Sequence, residues 1–199
     1  MDTVILAAGE NVRLQAAGIP PGKKPLLYRD GEVLVRRLCR QAREHADGQL
    51  TIVVSPRNAE DIAFATDPYN PRMVVQTTAY GPTHALDLAL DLRAMSSNGV
   101  LLLMADNYIK EWPFPGQLTS ADWPKLSVVA SNDPALHPID GEGFFTDDRD
   151  SLIRWLGPLT FHRDMYTPES KSWLEAFDNI AFDLHTVLPG QVEDMGVPS

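Results

Sequence analysis

Basic side chains gather in the polar segment that follows the first apolar run of the chain. Leu6–Leu14 reads Leu-Ala-Ala-Gly-Glu-Asn-Val-Arg-Leu, and Lys23-Lys24-Pro25 follows it. Cations in one segment attract anionic ligands, so Arg13, Lys24 and their neighbours are candidates for binding a small anion. The alternative interpretation is that these residues belong to a solvated loop.

Polar residues also follow two later apolar runs. Gln76 ends the run that begins at Met73, and Gly81 lies five residues further on. Asp106 and Asn107 come directly after a run of six apolar residues. In open sheets of parallel strands, ligands bind beyond the carboxyl ends of the strands, which makes these residues candidates for one site. Asp106 could instead cap whatever follows the strand.

Apolar patterning predicts alternating strands and helices through the first 105 residues, with a long polar loop up to about Asp30. Such alternation is typical of an α/β fold of Rossmann-like type, with a mostly parallel mixed sheet and helices on both faces. Cys39 is then expected in the core and not as a nucleophile. The predicted strands are Thr3–Ala7, Leu50–Val54, Met73–Gln76 and Val100–Ala105, and the predicted helices are Gly31–Ala46, Asn58–Ala65 and a segment containing Ala85, Leu88, Ala89 and Leu92.

Beyond residue 125 the pattern changes to short apolar runs separated by polar turns. This region could build a substrate-binding face. We expect the whole chain to form one domain with two halves, 1–110 and 111–199. The short runs are Leu126–Ala130, Gly143–Thr146, Leu152–Trp155 and Leu159–His162, and helices are predicted at Pro168–Phe177 and Asn179–Leu188.

The composition excludes several classes of protein. The chain of 199 residues has a formal net charge of -10, which argues against binding to nucleic acid because phosphate backbones are held by clustered Lys and Arg. Residues 1–60 hold nine basic and seven acidic residues, whereas 61–199 hold eight and twenty. No basic leader or apolar run of about 20 residues occurs, and there is a single cysteine. A cytoplasmic location without membrane contact is expected.

Other catalytic motifs are absent or weak. Gly18–Lys24 lacks the spacing of a Walker loop, the five histidines lack zinc-ligand spacing, and no Gly-x-Ser-x-Gly occurs. Asp148 and Asp150 form an Asp-x-Asp, which is a candidate metal site of a glycosyltransferase. The alternative is a solvated hairpin turn between two short strands.

The candidate residues together resemble the sugar-1-phosphate nucleotidyltransferases, a family with the nucleotide-diphospho-sugar transferase (GT-A-like) fold. Leu6–Leu27 is similar to the family pattern Leu-Ala-Ala-Gly-x-Gly-x-Arg-Leu followed by Lys-Pro-x-Leu. The segment from Gln76 to Leu86 resembles the base-binding segment of the family, and Leu101–Asn107 resembles its strand ending in Asp-Asn. Glu193–Pro198 resembles its Asp-x-Gly-Thr-Pro element.

The resemblance implies a Mg²⁺-dependent enzyme that moves a nucleotidyl group from a nucleoside triphosphate to a sugar 1-phosphate or similar acceptor, with release of pyrophosphate. Asp106 and Asp194 would hold Mg²⁺, which proteins commonly bind through one or two carboxylates. Arg13 would act on the triphosphate and Lys24 on the incoming phosphate or the transition state. By the same resemblance, residues 1–110 would be the nucleotide-binding half of the domain and 111–199 the acceptor-binding half. The implied nucleotide-binding residues are Leu6, Ala7, Ala8, Gly9, Asn11, Gln76 and Gly81.

The chain departs from the family pattern at two places. Asn11 replaces the second glycine of the phosphate loop, and Asn tolerates positive φ better than most residues. No clear Glu-Lys-Pro segment of the sugar site is present, so the acceptor could be an unusual sugar phosphate or a smaller compound such as a phosphoamine or phosphonate. Gly143 and Gly157 are candidate acceptor-binding residues. A Gln at position 76 favours a pyrimidine base by the same resemblance.

Two other functions stay open at this point. A GT-A-like glycosyltransferase would use Asp148 and Asp150 for its metal. A nucleotide-binding or regulatory domain would keep the fold without turnover, and Asn11 favours it. Arg13 and Lys24 would then be loop cations and Asp194 an exposed residue.

Overall fold

The computed structural model describes residues 1–10, 15, 18–78, 80–91, 95–114, 116, 118, 126–131, 143–145, 152–177, 182–187 and 191–195. Its strands are β1 (Asp2–Leu6), β2 (Tyr28–Arg29), β3 (Glu32–Val33), β4 (Leu50–Val54), β5 (Arg72–Val75), β6 (Gly99–Met104), β7 (Asn107–Ile109), β8 (Leu126–Ser131), β9 (Gly143–Phe145), β10 (Leu152–His162), β11 (Phe182–Val187) and β12 (Val192–Asp194). Its α-helices are α1 (Leu34–His45), α2 (Ala59–Thr66), α3 (Pro82–Leu90) and α4 (Trp173–Ala176).

The central sheet of the described residues has the strand order β11-β8-β10-β6-β1-β4-β5, and β9 pairs with β10. β1 is parallel to both β4 and β6, and β4 is parallel to β5. β10 runs antiparallel to its neighbours β6 and β8, while β11 is parallel to β8. The mainly parallel, mixed α/β sheet predicted from the alternation of strands and helices is therefore confirmed.

Alternate residues of each central strand face opposite sides of the sheet, and each side is covered by helices. Ile5 of β1 faces a core cluster that includes Leu38 and Cys39 of α1 and Ile62 of α2. Val4 faces a second cluster, which includes Ala85 and Leu86 of α3, Trp173 of α4 and Phe177 directly after it. Strands buried on both faces explain why the apolar runs in the first half of the sequence show no alternation.

Cys39 lies in the core, as expected from its position on the apolar face of α1. Its side chain is fully buried, and burial raises the pKa of the thiol to about 12. A thiol that resists deprotonation is a poor nucleophile. The structure thus agrees with a packing role for this residue.

Several element boundaries differ from the sequence prediction. The predicted helix Gly31–Ala46 begins only at Leu34, because the polar loop before it contains the hairpin β2–β3. Asp30 and Gly31 turn this hairpin with φ values of 47° and 84°, the left-handed conformations that an Asp-Gly turn requires. The predicted runs Leu152–Trp155 and Leu159–His162 are one strand, with a register shift between Trp155 and Leu159.

The two helices predicted near the end of the chain are largely wrong. Residues 168–172 form turns, and only the single turn α4 remains of the first helix; Ser172 Oγ accepts a hydrogen bond from Glu175 N at its start. In place of the predicted helix Asn179–Leu188, residues 182–187 form strand β11, which pairs with β8. The sequence Phe-Asp-Leu-His-Thr-Val alternates apolar and polar residues from Phe182 to His185, which is a strand period that the helical interpretation overlooked.

Within the described part of the chain, no helix has the length and apolar character needed to cross a bilayer.

Candidate active site

A cavity of about 380 Å³ opens at the carboxyl edge of the parallel strands. Strand β1 ends there, and Ala7 N donates a hydrogen bond to Val53 O, which continues the pairing of β1 with β4 past Leu6. Many of the predicted site residues meet at this one cavity, although they come from four separate segments. The lining residues named by the sequence prediction are Leu6, Ala7, Ala8, Gly9, Lys24, Gln76, Gly81 and Asp106.

Lys24 and Asp106 face each other in this cavity. Lys24 begins a short 3₁₀ turn, Lys24–Leu26, whose second residue is Pro25. Its Nζ lies 2.5 Å from Asp106 Oδ2, and the two side chains are 10% and 30% exposed. A largely buried ammonium beside a half-buried carboxylate places both charges in a setting where water screens them weakly.

Asn58 holds the Lys24 segment against the end of β1, a role that the sequence analysis missed. Its amide Nδ2 donates to Ala7 O at 2.8 Å and to Gly22 O at 3.0 Å. Its Oδ1 accepts from Ser55 N at 2.9 Å. An Asn just before a helix is usually an N-cap, but the side chain of Asn58 makes no cap bond to α2. Only the tertiary structure reveals this clamp.

Gln76 lies at the other side of the cavity and is 5% exposed. Its backbone N donates to Val54 O at 2.8 Å, which fixes it at the end of β5. Its side-chain Nε2 lies 3.3 Å from Gly81 O and 2.9 Å from His84 Nδ1. Gly81 has φ 95° directly before α3, a conformation that favours glycine. His84, on the first turn of α3, was not identified from the sequence; its spacing of eight residues from Gln76 gave no signal.

A second cavity of about 150 Å³ adjoins the first, and Ala8, Gly9, Glu10 and Gln76 line both. Arg57 lies in its wall and forms an ion pair with Glu10, with Nη1 3.8 Å from Oε1. Both side chains are well exposed. An exposed ion pair of this kind contributes little stability, so the Arg57 cation stays accessible for a ligand anion.

The strand pair β7–β12 brings the end of the described chain beside Asp106. Met195 N donates to Asp106 O at 2.9 Å, and the register pairs Asp194 with Asn107. The backbone thus places the two predicted metal ligands, Asp106 and Asp194, on neighbouring segments. Asn107 Oδ1 is buried and has no hydrogen-bond partner in the described part of the chain.

Arg29 holds this strand pair in place from the β2–β3 hairpin. Its Nη1 lies 2.6 Å from Glu193 Oε2 and 3.0 Å from the sulfur of Met195. Its guanidinium also stacks 4.4 Å above the ring centroid of Tyr108. The Tyr108 hydroxyl donates to Asp30, and this hydrogen bond raises the pKa of Tyr108.

The structure does not bring Gly143 or Gly157 to the cavity, and the other remaining predicted residues lie outside its described part. Gly143 pairs with Arg154 between β9 and β10, and Gly157 lies in the irregular part of β10; neither is among the cavity-lining residues in the described ranges. Asn11 and Arg13 lie outside the described residues, as do Asp148 and Asp150. Among the residues that the structure describes, no group of three or more His, Cys, Asp or Glu side chains could hold a metal.

Comparison with known proteins identifies a family. Residues 3–157 match the family model of the MobA-like NTP transferase domain. No curated protein matches the sequence.

Solved structures with the same fold cover nearly the whole chain. CTP:phosphocholine cytidylyltransferase from Streptococcus pneumoniae has a TM-score of 0.70 at 15% identity, covering 98% of this chain and 93% of its own. HddC from Yersinia pseudotuberculosis has a TM-score of 0.65 at 16% identity, with 99% and 94% covered. The inositol-1-phosphate CTP transferase from T. maritima has a TM-score of 0.66 at 14% identity, with 99% and 89% covered.

Proposed function

Because this chain belongs to the family of MobA-like NTP transferase domains, and is thus a nucleotidyltransferase, we propose that it moves a nucleoside monophosphate from a triphosphate to a small phosphorylated acceptor. The acceptor is a sugar 1-phosphate or a similar phosphomonoester, and pyrophosphate is released. The observation that carries this proposal is the meeting of Ala8, Gly9, Lys24 and Asp106 at one cavity beyond the parallel strands. This is the edge at which open α/β sheets bind ligands.

The roles follow from the chemistry of each group. Leu6, Ala7, Ala8 and Gly9 bring backbone to the triphosphate, with Asn11 and Arg13 following in the same segment by family resemblance. Lys24, as a compact cation, neutralises charge on the reacting phosphates. Gln76 and Gly81 contact the base, and Arg57 is available to the pyrophosphate end. The second cavity, which Arg57 lines and which shares four lining residues with the first, supports this position for the pyrophosphate.

The donor set at the strand ends fits Mg²⁺. Mg²⁺ prefers oxygen ligands and is usually held by one or two carboxylates together with substrate phosphates. Asp106 offers a half-buried carboxylate, and the Met195 N to Asp106 O hydrogen bond brings the Asp194 segment next to it. We propose Asp106 and Asp194 as the ligands, with Asn107 Oδ1 nearby, which has no hydrogen-bond partner among the described residues. When bound, the ion would neutralise phosphate charge and orient the reacting groups.

The transfer needs no nucleophile from the protein. An oxygen of the acceptor phosphate forms a bond to the α-phosphorus, and the bond from that phosphorus to the bridging β-oxygen breaks, so pyrophosphate leaves with the electron pair. The protein contributes positioning and charge stabilisation. Lys24 supplies a fixed ammonium in a weakly screened environment, where each charge acts more strongly than in water. Asn58 keeps the Lys24 segment at its place.

The base of the nucleotide, the division of the domain and the location of the protein complete the proposal. We propose a pyrimidine nucleotide because of Gln76, and two similar structures are of a CTP:phosphocholine cytidylyltransferase and an inositol-1-phosphate CTP transferase. We keep residues 1–110 as the nucleotide-binding half and 111–199 as the acceptor-binding half of one domain, with Gly143 and Gly157 toward the acceptor. The cytoplasm, where nucleoside triphosphates are available, is the proposed location.

Pyrophosphate release tests this proposal. The chain with Mg²⁺ is given each of the four ribonucleoside triphosphates and dTTP against sugar 1-phosphates, phosphocholine and aminoethylphosphonate. We expect release with one pair, and its loss in Asp106→Asn while the circular dichroism spectrum shows that the variant is still folded. If the panel is silent while a working control enzyme responds, and nucleotide still binds, the protein is a binding module. Consumption of a nucleotide sugar instead would indicate a glycosyltransferase.

A further inference from the structure

We propose that His84 is a positioning residue that fixes the side-chain amide of Gln76 with its carbonyl oxygen toward the nucleotide, so that the base is read through a hydrogen-bond acceptor. This inference rests on the proposed function. It assigns His84, which lies outside the residues predicted from sequence, a role in base selection.

The nitrogen of the Gln76 amide is fully engaged within the protein. Nε2 carries two hydrogens, and two acceptors lie near it: Gly81 O at 3.3 Å and His84 Nδ1 at 2.9 Å. The backbone of Gln76 is anchored to Val54 O, and the side chain is almost completely buried. The oxygen Oε1 is therefore the polar atom that the amide can offer to a ligand in the two cavities that Gln76 lines.

If the Gln76 amide were rotated by half a turn, its oxygen would face the carbonyl oxygen of Gly81. Gly81 O is a carbonyl and can only accept, and it already accepts from Ala85 N at 3.3 Å on the first turn of α3. Rotation of the Gln76 amide would bring Oε1 to 3.3 Å from this carbonyl with no hydrogen between them. With Nε2 thus facing His84, Nδ1 must accept, and the ring proton lies on the other nitrogen of His84.

The neighbouring Tyr80 restrains the His84 ring. The two rings meet edge to face, with centroids 5.2 Å apart and planes at 90°. Edge-to-face contact is a favoured arrangement of aromatic rings. Tyr80 is 72% exposed, so its packing on His84 is a local contact at the surface and not part of the core. Gln76, His84 and Tyr80 form a row from the cavity to the surface.

An acceptor at this position selects a base by where its N–H groups lie. Cytosine carries its donor on the exocyclic amine, whereas uracil and thymine carry theirs on ring N3. A fixed Oε1 accepts from one of these positions, while a freely rotating amide would accept from one base and donate to another. Removing the restraint on Gln76 should therefore reduce discrimination between nucleotides, and should affect affinity for the preferred nucleotide less than the ratio between nucleotides.

The test measures binding, not turnover. Calorimetric titration with CTP, UTP, dTTP, ATP and GTP in Mg²⁺ gives the affinity ratio between the preferred and the next nucleotide. His84→Leu removes the acceptor, and we expect this ratio to fall about tenfold, which corresponds to about 1.4 kcal/mol. His84→Asn keeps an acceptor oxygen near the place of Nδ1 and should restore most of the ratio.

The control is His162→Leu, the same change at the other end of the sheet, where His162 pairs with Gly99 at the start of β6. An unchanged ratio in His84→Leu, or an equal loss of affinity for every nucleotide, would overturn the proposal while the proposed function stands. If His84→Leu does not fold, the test uses the wild-type chain and a form of the preferred nucleotide whose base N–H groups are methylated. This methylated nucleotide must bind at least tenfold more weakly than the unmodified one. Equal binding overturns the proposal, and no nucleotide binding at all overturns the proposed function with it.

Discussion

The ammonium of Lys24 lies 2.5 Å from the Asp106 carboxylate, although 82 positions separate the two residues in the chain. This pair joins the group proposed to neutralise the reacting phosphates to the group proposed to bind the metal. In the absence of substrate each charge compensates the other, so neither is buried alone, which would cost far more. When substrate binds, its phosphates can pair with Lys24, and a cation can pair with Asp106.

Lys24→Met should abolish most of the activity. The change keeps much of the aliphatic volume but removes the cation, and loss of one charge-stabilising donor costs about 100-fold or more in kcat. The rate of pyrophosphate release measures this loss. Lys23→Met is the matched control: Lys23 pairs with Asp61 where both side chains are over 40% exposed, and we expect its rate within about twofold of wild type. Equal losses of rate in both variants would contradict a specific role of Lys24, because they would show that any positive charge in this segment has the same effect.

Asn58→Ala should destabilise the protein by about 2–3 kcal/mol, because it leaves the Ala7 and Gly22 carbonyls without their buried donor. Urea unfolding measures the change, and the KM for the triphosphate should rise as the Lys24 segment loosens. Asn98→Ala, at an exposed Asn, is the control and should change the free energy of unfolding by less than about 0.5 kcal/mol. A loss in Asn58→Ala as small as that of the control would contradict the clamp.

Much of the first half of the fold could be predicted from the sequence, and the reason is local. The apolar runs of β1, β4 and β6 are buried on both faces, so their composition alone marks them, whereas β5 is only partly buried. The site residues could be named because they follow these strands. Their contacts could not: that Asn58 clamps Gly22 and that His84 reaches Gln76 depends on how separate segments pack. In the second half, a helix was predicted at 182–187 because several of its residues also suit a helix, although its apolar and polar residues alternate as in a strand.

His45 should make stability depend on pH. Its ring stacks on Trp112 with centroids 4.3 Å apart, and burial lowers its pKa below the usual histidine value of 6.5. The unfolded chain then binds a proton more readily than the folded one, so stability is lost as pH falls below about 6.5 until the folded group also titrates. Wild type should lose more free energy of unfolding between pH 7.5 and 5 than His45→Phe, which keeps the stacking. The opposite order would show that His45 is stabilised as a cation.

Arg29→Leu should weaken metal binding without unfolding the protein. It removes the ion pair to Glu193 and the stacking on Tyr108, which hold β12 beside Asp106. Loss of such supporting contacts commonly costs about tenfold in metal affinity, so the Mg²⁺ concentration for half-maximal rate should rise by about that factor. Arg40→Leu, which breaks ion pairs to Glu32 and Glu44 away from β12, is the control. An unchanged Mg²⁺ dependence in Arg29→Leu would show that the contacts holding β12 do not contribute to metal binding.

The antiparallel strand β10 has a consequence for the order of assembly. It lies between β6 and β8, so these two neighbours cannot be joined until residues 152–162 have been synthesised. By contrast, β1, β4, β5 and β6 pair among themselves, and every residue that lines the 380 Å³ cavity in the described part of the chain precedes Asn107. Contacts between distant segments form slowly, and chains fold from the N-terminus as they emerge. We therefore expect the nascent chain to close its nucleotide cavity before the sheet is complete, and insertion of β10 to be the slow step in refolding.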